Sequence, residues 1–328
     1  MHAIRQYEFG PAENLRYEEL PDPVPGENQV RIAVEASGVH LIDTAIRRGE
    51  RTGYFPLPEL PMVPGREVAG VVDAIGPGVD PVLVGRRVVA NLGSANGGYA
   101  DRAVAATRAL HEVPDEMTAD TAVAAIGTVR TAVAVLEVAA LGAGDVVLVT
   151  AAAGGLGSLF VQAGRNSGAI VVGVAGDDAK VERVRELGAD VAINYSEPGW
   201  PDRVRGALGA RELTVVLDGV GGSLGHQAMK LLGDGGRLVL FGGASGEPTQ
   251  VTTQDLAAHS LTATWAIGPR IFNRPGGLRD LESKALAEVA AGRLVPLVGQ
   301  RFRLAEAAAA HTAVESRATV GKTVLVTV

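Results

Sequence analysis

Residues 144–165 read GDVVLVTAAAGGLGSLFVQAGR, and the fold follows from how this stretch is built. Residues 145–150 are a short apolar, β-branched run, as fills the centre of a parallel sheet covered on both faces. Gly154, Gly155 and Gly157 come next, where missing Cβ atoms let the backbone turn tightly, approach a pyrophosphate and pack a helix on a strand. Leu156, Leu159, Phe160 and Ala163 recur at i, i+3, i+4 and i+7, one apolar helical face. Strand, glycine turn and helix in that order open a dinucleotide-binding unit, and the unpaired N–H groups of the helix start make an anion site. Ala153, Gly154, Gly155, Leu156 and Gly157 are therefore candidate cofactor contacts. Ala152 stands where the usual G-x-G-x-x-G has its first glycine. A second run, LDGVGGSLG with Gly219, Gly221, Gly222 and Gly225, also follows an apolar strand. Only the run at 154–157 opens the series of strand–helix units.

The 328 residues are enough for two domains and a substantial core. Hydrophobic residues make up 47% and charged ones 20%, a globular composition with aliphatic cores. The formal net charge is −7, with no Lys/Arg run to track phosphates. Nucleic acid and anionic membranes are thus not the expected partners. Cysteine is absent, which excludes disulfides, thiolate metal sites and cysteine nucleophiles. The opening MHAIRQYEFG has no apolar signal-peptide core, and no segment approaches the roughly 18 uninterrupted apolar residues of a membrane span. The expected location is the cytoplasm.

Short strands punctuated by Pro and Gly are predicted at 3–9, 15–20, 29–37, 68–75, 86–91 and 99–104, with one helix at 41–48 and a long loop after it. This predicts a β-rich, barrel-like first domain over 1–120. Helices are predicted at 119–126 and 129–139. Strands at 169–174, 190–193, 214–217 and 237–241 then alternate with helices at 179–187 and 224–232, which argues for a doubly wound parallel sheet over 121–268. A strand at 261–267, LTATWAI, should form its exposed edge, and an unprotected apolar edge invites pairing. Helices at 278–291 and 304–315 and a strand at 322–327 remain. A lone last strand needs a sheet to join, so 269–328 is expected to return to the first domain. The fold class is α/β.

Taken together, the whole chain resembles the medium-chain dehydrogenase/reductase superfamily, in its zinc-free quinone oxidoreductase and ζ-crystallin branch. The resemblance rests most firmly on Gly144, Asp145, Leu148, Ala152, Ala153, Gly154, Gly155, Gly157, Gln162 and Arg165, with alanine in place of the first glycine as in that branch. It implies a GroES-like β-rich domain followed by a Rossmann domain. It also implies that the catalytic zinc ligands of related dehydrogenases, a Cys, a His and a Cys, are replaced here by His40, Arg66 and Thr128. A guanidinium has no lone pair to give and repels a cation, so no metal is expected. Asp43 and Glu67 fall at family positions that are mostly structural.

The resemblance also bears on the cofactor. NAD-specific members carry an acid at the end of the second strand; the aligned residue here is Ala175, followed by Gly176. The groups that meet a 2′-phosphate in the branch map onto Lys180, Tyr195 and Arg317, which favours NADPH, although Asp177 and Asp178 add opposing charge. Ligands sit beyond the carboxyl ends of parallel strands, so Val220 and the run Phe241, Gly242, Gly243, Ala244 should flank the cofactor, with Thr128 near the nicotinamide.

Without a metal, hydride acceptance requires an intrinsically electrophilic substrate, a quinone or an α,β-unsaturated carbonyl, or hydrogen bonds that polarise it. His40 is the candidate donor to the substrate oxygen; a histidine that merely fills the emptied metal site is the alternative. Where the branch often has tyrosine, in a pattern like IDTYIR, this chain has Ala45, and Tyr54 in the following loop is a candidate substitute. The implied activity is an NADPH-dependent quinone reductase. Alternatives are an enone or enoyl-thioester reductase and a non-catalytic NADPH-binding protein of the crystallin type.

Overall fold

Two large sheets of opposite design and a two-stranded antiparallel ribbon near the N-terminus account for the architecture. The computed structural model describes residues 1–51 and 56–327. Its contacts divide them into two compact units, Met1–Thr128 with Ala285–Ala290 and Pro296–Val328, and Val129–Lys284 with Ala291–Val295. The breaks read from sequence at 120 and 268 thus stand at 128 and 284. Residues 269–284 stay with the second unit, where Arg274 and Lys284 pair with Glu137 at 2.7 and 2.9 Å.

The first unit holds β1 (His2–Gln6), β2 (Leu15–Glu19), β3 (Gln29–Val39), β4 (Glu67–Ile75), β5 (Arg87–Asn91), β6 (Arg102–Ala106) and β7 (Leu110–Glu112). The second holds β8 (Val146–Val149), β9 (Ile170–Ala175), β10 (Val191–Asn194), β11 (Leu213–Asp218), β12 (Leu232–Leu240) and β13 (Thr262–Trp265). Then β14 (Val298–Arg303) and β15 (Lys322–Val326) return to the first unit. Its sheet runs β14-β15-β3-β4-β5-β7, with β6 also on β3, and β15 is antiparallel to β3. The second sheet, β10-β9-β8-β11-β12-β13, is parallel throughout. β8 lies at its centre, and β13 forms one edge.

The sequence reading omitted β7, β14 and the helix Trp200–Leu208. The strand β14, VGQRFR, alternates half-buried and exposed residues and is rich in polar side chains, so it carries no apolar run to announce it. The predicted helix at 224–232 stops at Met229, because Leu232 already pairs with Leu213 as β12 begins.

All four residues of β8 are buried, and each contributes on the order of 1.5–3 kcal/mol of burial. Val30, Ile32, Val68, Val72 and Val88 belong to one buried core cluster of the first unit. Residues 119–139 form a continuous helical run with a π turn at Ala125–Val129. Its length and apolarity match a membrane span, but 67% of its most apolar window is buried inside the protein. It is a core helix.

Candidate active site

In the second unit the fingerprint folds as a nucleotide platform. The helix Gly155–Asn166 starts after Gly154, and its first intrahelical bond runs from Ser158 N to Gly154 O at 2.9 Å. The N–H groups of Gly155, Leu156 and Gly157 precede that bond, in the position that suits an anion. Gly157 has no room for a side chain, since a Cβ there would fall 2.7 Å from Ala152 Cα. Buried Ala152 and Ala153 complete the turn. This cradle fits a dinucleotide pyrophosphate. Phe241 packs edge-on against Phe160 of the same helix, ring centroids 5.0 Å apart.

The second glycine run has a different purpose. It is wrapped around Asp218, which is 0% exposed. Asp218 Oδ1 accepts from Thr150 Oγ1 at 2.9 Å and from Val220 N at 3.0 Å, while Oδ2 accepts from Thr249 Oγ1 at 2.6 Å and from Gly221 N at 3.2 Å. Ala244 N and Ser245 N then donate to Gly219 O and Val220 O at 3.1 and 2.8 Å. One carboxylate thus ties together the segments that follow β8, β11 and β12, the ends at which Val220 and residues 241–244 are expected to meet the cofactor.

The end of β9 carries Ala175 and Gly176. Tyr195 N donates to Ala175 O at 2.9 Å, and the Tyr195 hydroxyl lies so close that a Cβ on Gly176 would approach it to 2.9 Å. Lys180 Nζ lies 3.1 Å from Asp177 Oδ2. Asp177 caps the helix Asp178–Glu186, its Oδ1 accepting from Lys180 N at 2.8 Å. That backbone bond first, and the Lys180 ammonium second, hold its carboxyl below the ordinary value. Asp178 Oδ1 accepts from Asn194 Nδ2 at 2.9 Å. The two aspartates that read as obstacles to a 2′-phosphate are engaged locally.

In the first unit His40 sits between the end of β3 and the helix Leu41–Arg48. Its Nε2 lies 2.6 Å from Glu67 Oε2 and 2.7 Å from Lys322 Nζ, and the latter two are 3.8 Å apart. The His40 side chain is 21% exposed, those of Glu67 and Lys322 5% and 4%. The carboxylate reaches this point because the neighbouring backbone carries no side chain. A Cβ on Gly38 would fall 2.7 Å from Glu67 Oε2, and one on Gly127, in the π turn, would overlap the carboxylate outright. Thr128, 7% exposed, is the next residue of that turn.

A second network lies alongside. Asp43 Oδ2 accepts from His40 N at 2.8 Å, and Oδ1 accepts from Arg66 Nη2 at 2.9 Å and Nε at 3.1 Å. Burial alone would raise the Asp43 carboxyl, but the Arg66 and His40 charges outweigh it and hold it low. The Tyr99 hydroxyl, 3.2 Å from His311 Nε2, is pushed well up by burial and by the Asp43 charge. Burial drives His311 down to about 4.

Comparison with known proteins places this geometry. Residues 26–115 match the alcohol dehydrogenase GroES-like domain, and residues 155–279 match the zinc-binding dehydrogenase family. The quinone oxidoreductase of Sus scrofa is 31% identical over 99% of this chain and 97% of its own length. The chain belongs to the quinone oxidoreductase family. A 2-haloacrylate reductase from a Burkholderia species is 33% identical over 99% of this chain and 98% of its own length. A mycobacterial protein solved in complex with NADPH shares 35% identity at a TM-score of 0.86, covering 99% of this chain and 100% of that one. The Escherichia coli quinone oxidoreductase, also solved with NADPH, shares 29% at a TM-score of 0.85, with 99% and 100% covered.

Zinc, which one matched family carries in its name, does not suit the residues of this family member. His40 Nε2 is already in contact with Glu67 and an ammonium, Arg66 repels cations, and no thiolate exists in the chain.

The site residues read from sequence thus fall in both units. His40, Thr128 and Arg317 lie in the first, Arg317 with a left-handed φ of 59°. The fingerprint, Gly176, Lys180, Tyr195, Val220, Phe241, Gly242, Gly243 and Ala244 lie in the second. Tyr54 lies outside the described residues. The structure adds two residues. Glu67, read as structural, touches His40, and Lys322 escaped notice because a single lysine opening the apolar strand KTVLV looks like a solvated strand end.

Proposed function

We propose that this chain is an NADPH-dependent, zinc-independent reductase that passes a hydride to a quinone or another activated carbonyl. The reading is carried by the end of β9, where Ala175 leaves no carboxylate for a ribose hydroxyl and Gly176 is flanked by the Tyr195 hydroxyl with Lys180 on the adjoining helix. The full-length likeness to proteins solved with NADPH supports it. Reduced nicotinamide supplies the hydride when bound. The first-turn N–H groups of the helix Gly155–Asn166 hold the pyrophosphate, Lys180 and Tyr195 bind the 2′-phosphate, and His40 donates the proton to the substrate oxygen.

A second reading, an activated-alkene reductase, draws on the 2-haloacrylate reductase relative and on Ala45. NADPH oxidation followed with quinones, enones and enoyl thioesters separates the two. Tight NADPH binding without turnover of any acceptor would overturn both. We further propose a homodimer formed through the β13 edge at 261–267, which ends the parallel sheet; a monomer in sedimentation at micromolar concentration would contradict it.

A further inference from the structure

The cluster around His40 sets two opposite demands on one ring nitrogen. An imidazole nitrogen has one in-plane site, filled either by a hydrogen to donate or by a lone pair to accept. Glu67 Oε2, at 2.6 Å, calls for a hydrogen on Nε2, whereas the Lys322 ammonium, at 2.7 Å, calls for a lone pair on the same atom. Both partners are buried to about the same degree, so bulk water does not stand in for either, and the partly exposed His40 ring is the outlet. Gly38 and Gly127 clear the space in which the three groups converge.

We propose that Lys322, balanced by Glu67, is a proton-supplying residue that acts through His40; this rests on the reading of His40 as the donor to the substrate. When bound, reduced nicotinamide would supply the hydride with its electron pair, and the substrate oxygen that gains the negative charge must then be protonated. That oxygen takes its proton from His40. Nε2 accepts a proton from Lys322 Nζ, which becomes a neutral amine and recovers its proton through the partly exposed His40 ring between turnovers. Glu67, from β4, steadies the positive charge wherever the proton resides. Among the described residues, the other charged groups beside the ring are Asp43, from the helix Leu41–Arg48, and Arg66, which pair with each other; His311, from the helix Ala307–Glu315, lies on the Tyr99 hydroxyl with a neutral ring. None of these lies on Nε2.

The test compares Lys322→Arg and Lys322→Gln with the unaltered protein, reading kcat against pH, the solvent deuterium effect and KM for NADPH. Arginine keeps the charge but does not release a proton at working pH. Both variants should lose about 10- to 100-fold in kcat while KM for NADPH stays within about two-fold, the signature of an interaction made in the transition state. The alkaline limb of the kcat profile should change in both. Wild-type kcat and an unchanged profile in Lys322→Arg would mean that charge alone suffices, and the proposal falls. Should the larger Arg side chain prevent folding, seen as lost NADPH fluorescence binding, Lys322→Gln decides, since wild-type kcat there overturns the proposal and a lowered kcat with unchanged KM supports it. His40→Ala separates the two levels. An unchanged kcat there removes the donor reading itself, whereas a loss in His40→Ala beside intact Lys322 variants removes only the relay.

Discussion

Glu67 and Asp218 are both carboxylates shut away from water, 4% and 0% exposed, yet they are partnered in opposite ways. Glu67 opens β4 and faces an imidazole and an ammonium, two groups that can gain or lose a proton. Asp218 ends β11 and is bonded to two hydroxyls and two backbone N–H groups, none of which titrates. The first arrangement can exchange a proton. The second can only fix a shape. Burial of a charge is thus no mark of chemistry by itself; what decides is whether the partners have a second protonation state within reach.

The sharpest way to break this contrast is to remove the shape-holding member. Asp218→Ala would leave Thr150, Thr249 and the N–H groups of Val220 and Gly221 without their shared acceptor, at a cost of about 3–5 kcal/mol. Denaturant unfolding should show that loss, and NADPH affinity should fall by more than about ten-fold because the segments after three strands lose their tie. A variant that loses less than about 1 kcal/mol and binds NADPH normally would make Asp218 incidental.

The titratable character of the first unit can be tested through His311, which lies beyond Tyr99 from Asp43. Its folded pKa, about 4, lies below the ordinary 6.5, so between those values the unfolded chain binds the extra proton and stability rises with pH. It is fully present above about 6.5 and lost as pH falls toward 4, a span worth about 3 kcal/mol. Comparing unfolding free energies with those of His311→Gln at pH 4 and pH 7 cancels the carboxylates that titrate in both. Parallel profiles for the two proteins would show that His311 carries none of this dependence.

Most of the fold was legible, and the reason is local. The fingerprint at 144–165 encodes strand, turn and helix in consecutive residues, and the strands on either side of it, IVVGVA and LTVVLD, are mostly apolar. The glycine run at 219–225 was legible as glycine-rich but not in purpose, because its centre, Asp218, meets Thr150 and Thr249 across wide gaps in sequence. The His40 cluster was legible by one member in three. Glu67 and Lys322 are separated by 255 positions and are joined only when β15 pairs antiparallel with β3 beside β4. No spacing rule spans that distance. Lys322 in particular carries none of the signs of a site residue, since a cation opening a strand is ordinary.

A smaller change sharpens the Glu67 side of the contrast without touching any titrating atom. Gly127→Ala places a methyl group where the Glu67 carboxylate now packs against the π turn, and overpacking of this kind costs about 1–3 kcal/mol. If the carboxylate must stay on His40, kcat should fall more than NADPH affinity does. Equal losses in both would mean that the turn has moved as a whole.

The smallest expected effect belongs to a third carboxylate, Asp177, which stands between the two extremes. It is exposed, it caps a helix, and its titratable partner Lys180 is the residue assigned to the 2′-phosphate. A bound phosphate must compete with Asp177 for the same ammonium, so Lys180 contributes less than an undivided cation would. Lys180→Ala should weaken NADPH by only about 1 kcal/mol, roughly five-fold in Kd, and leave NADH unchanged. Asp177→Asn keeps an oxygen to cap the helix while removing the competing charge, so it should move NADPH affinity the opposite way. Fluorescence titrations of both variants with both cofactors measure this directly. If Asp177→Asn weakened NADPH as much as NADH, the aspartate would be acting on the cofactor through the helix it caps and not through Lys180, and the site would be shape-holding like Asp218 after all.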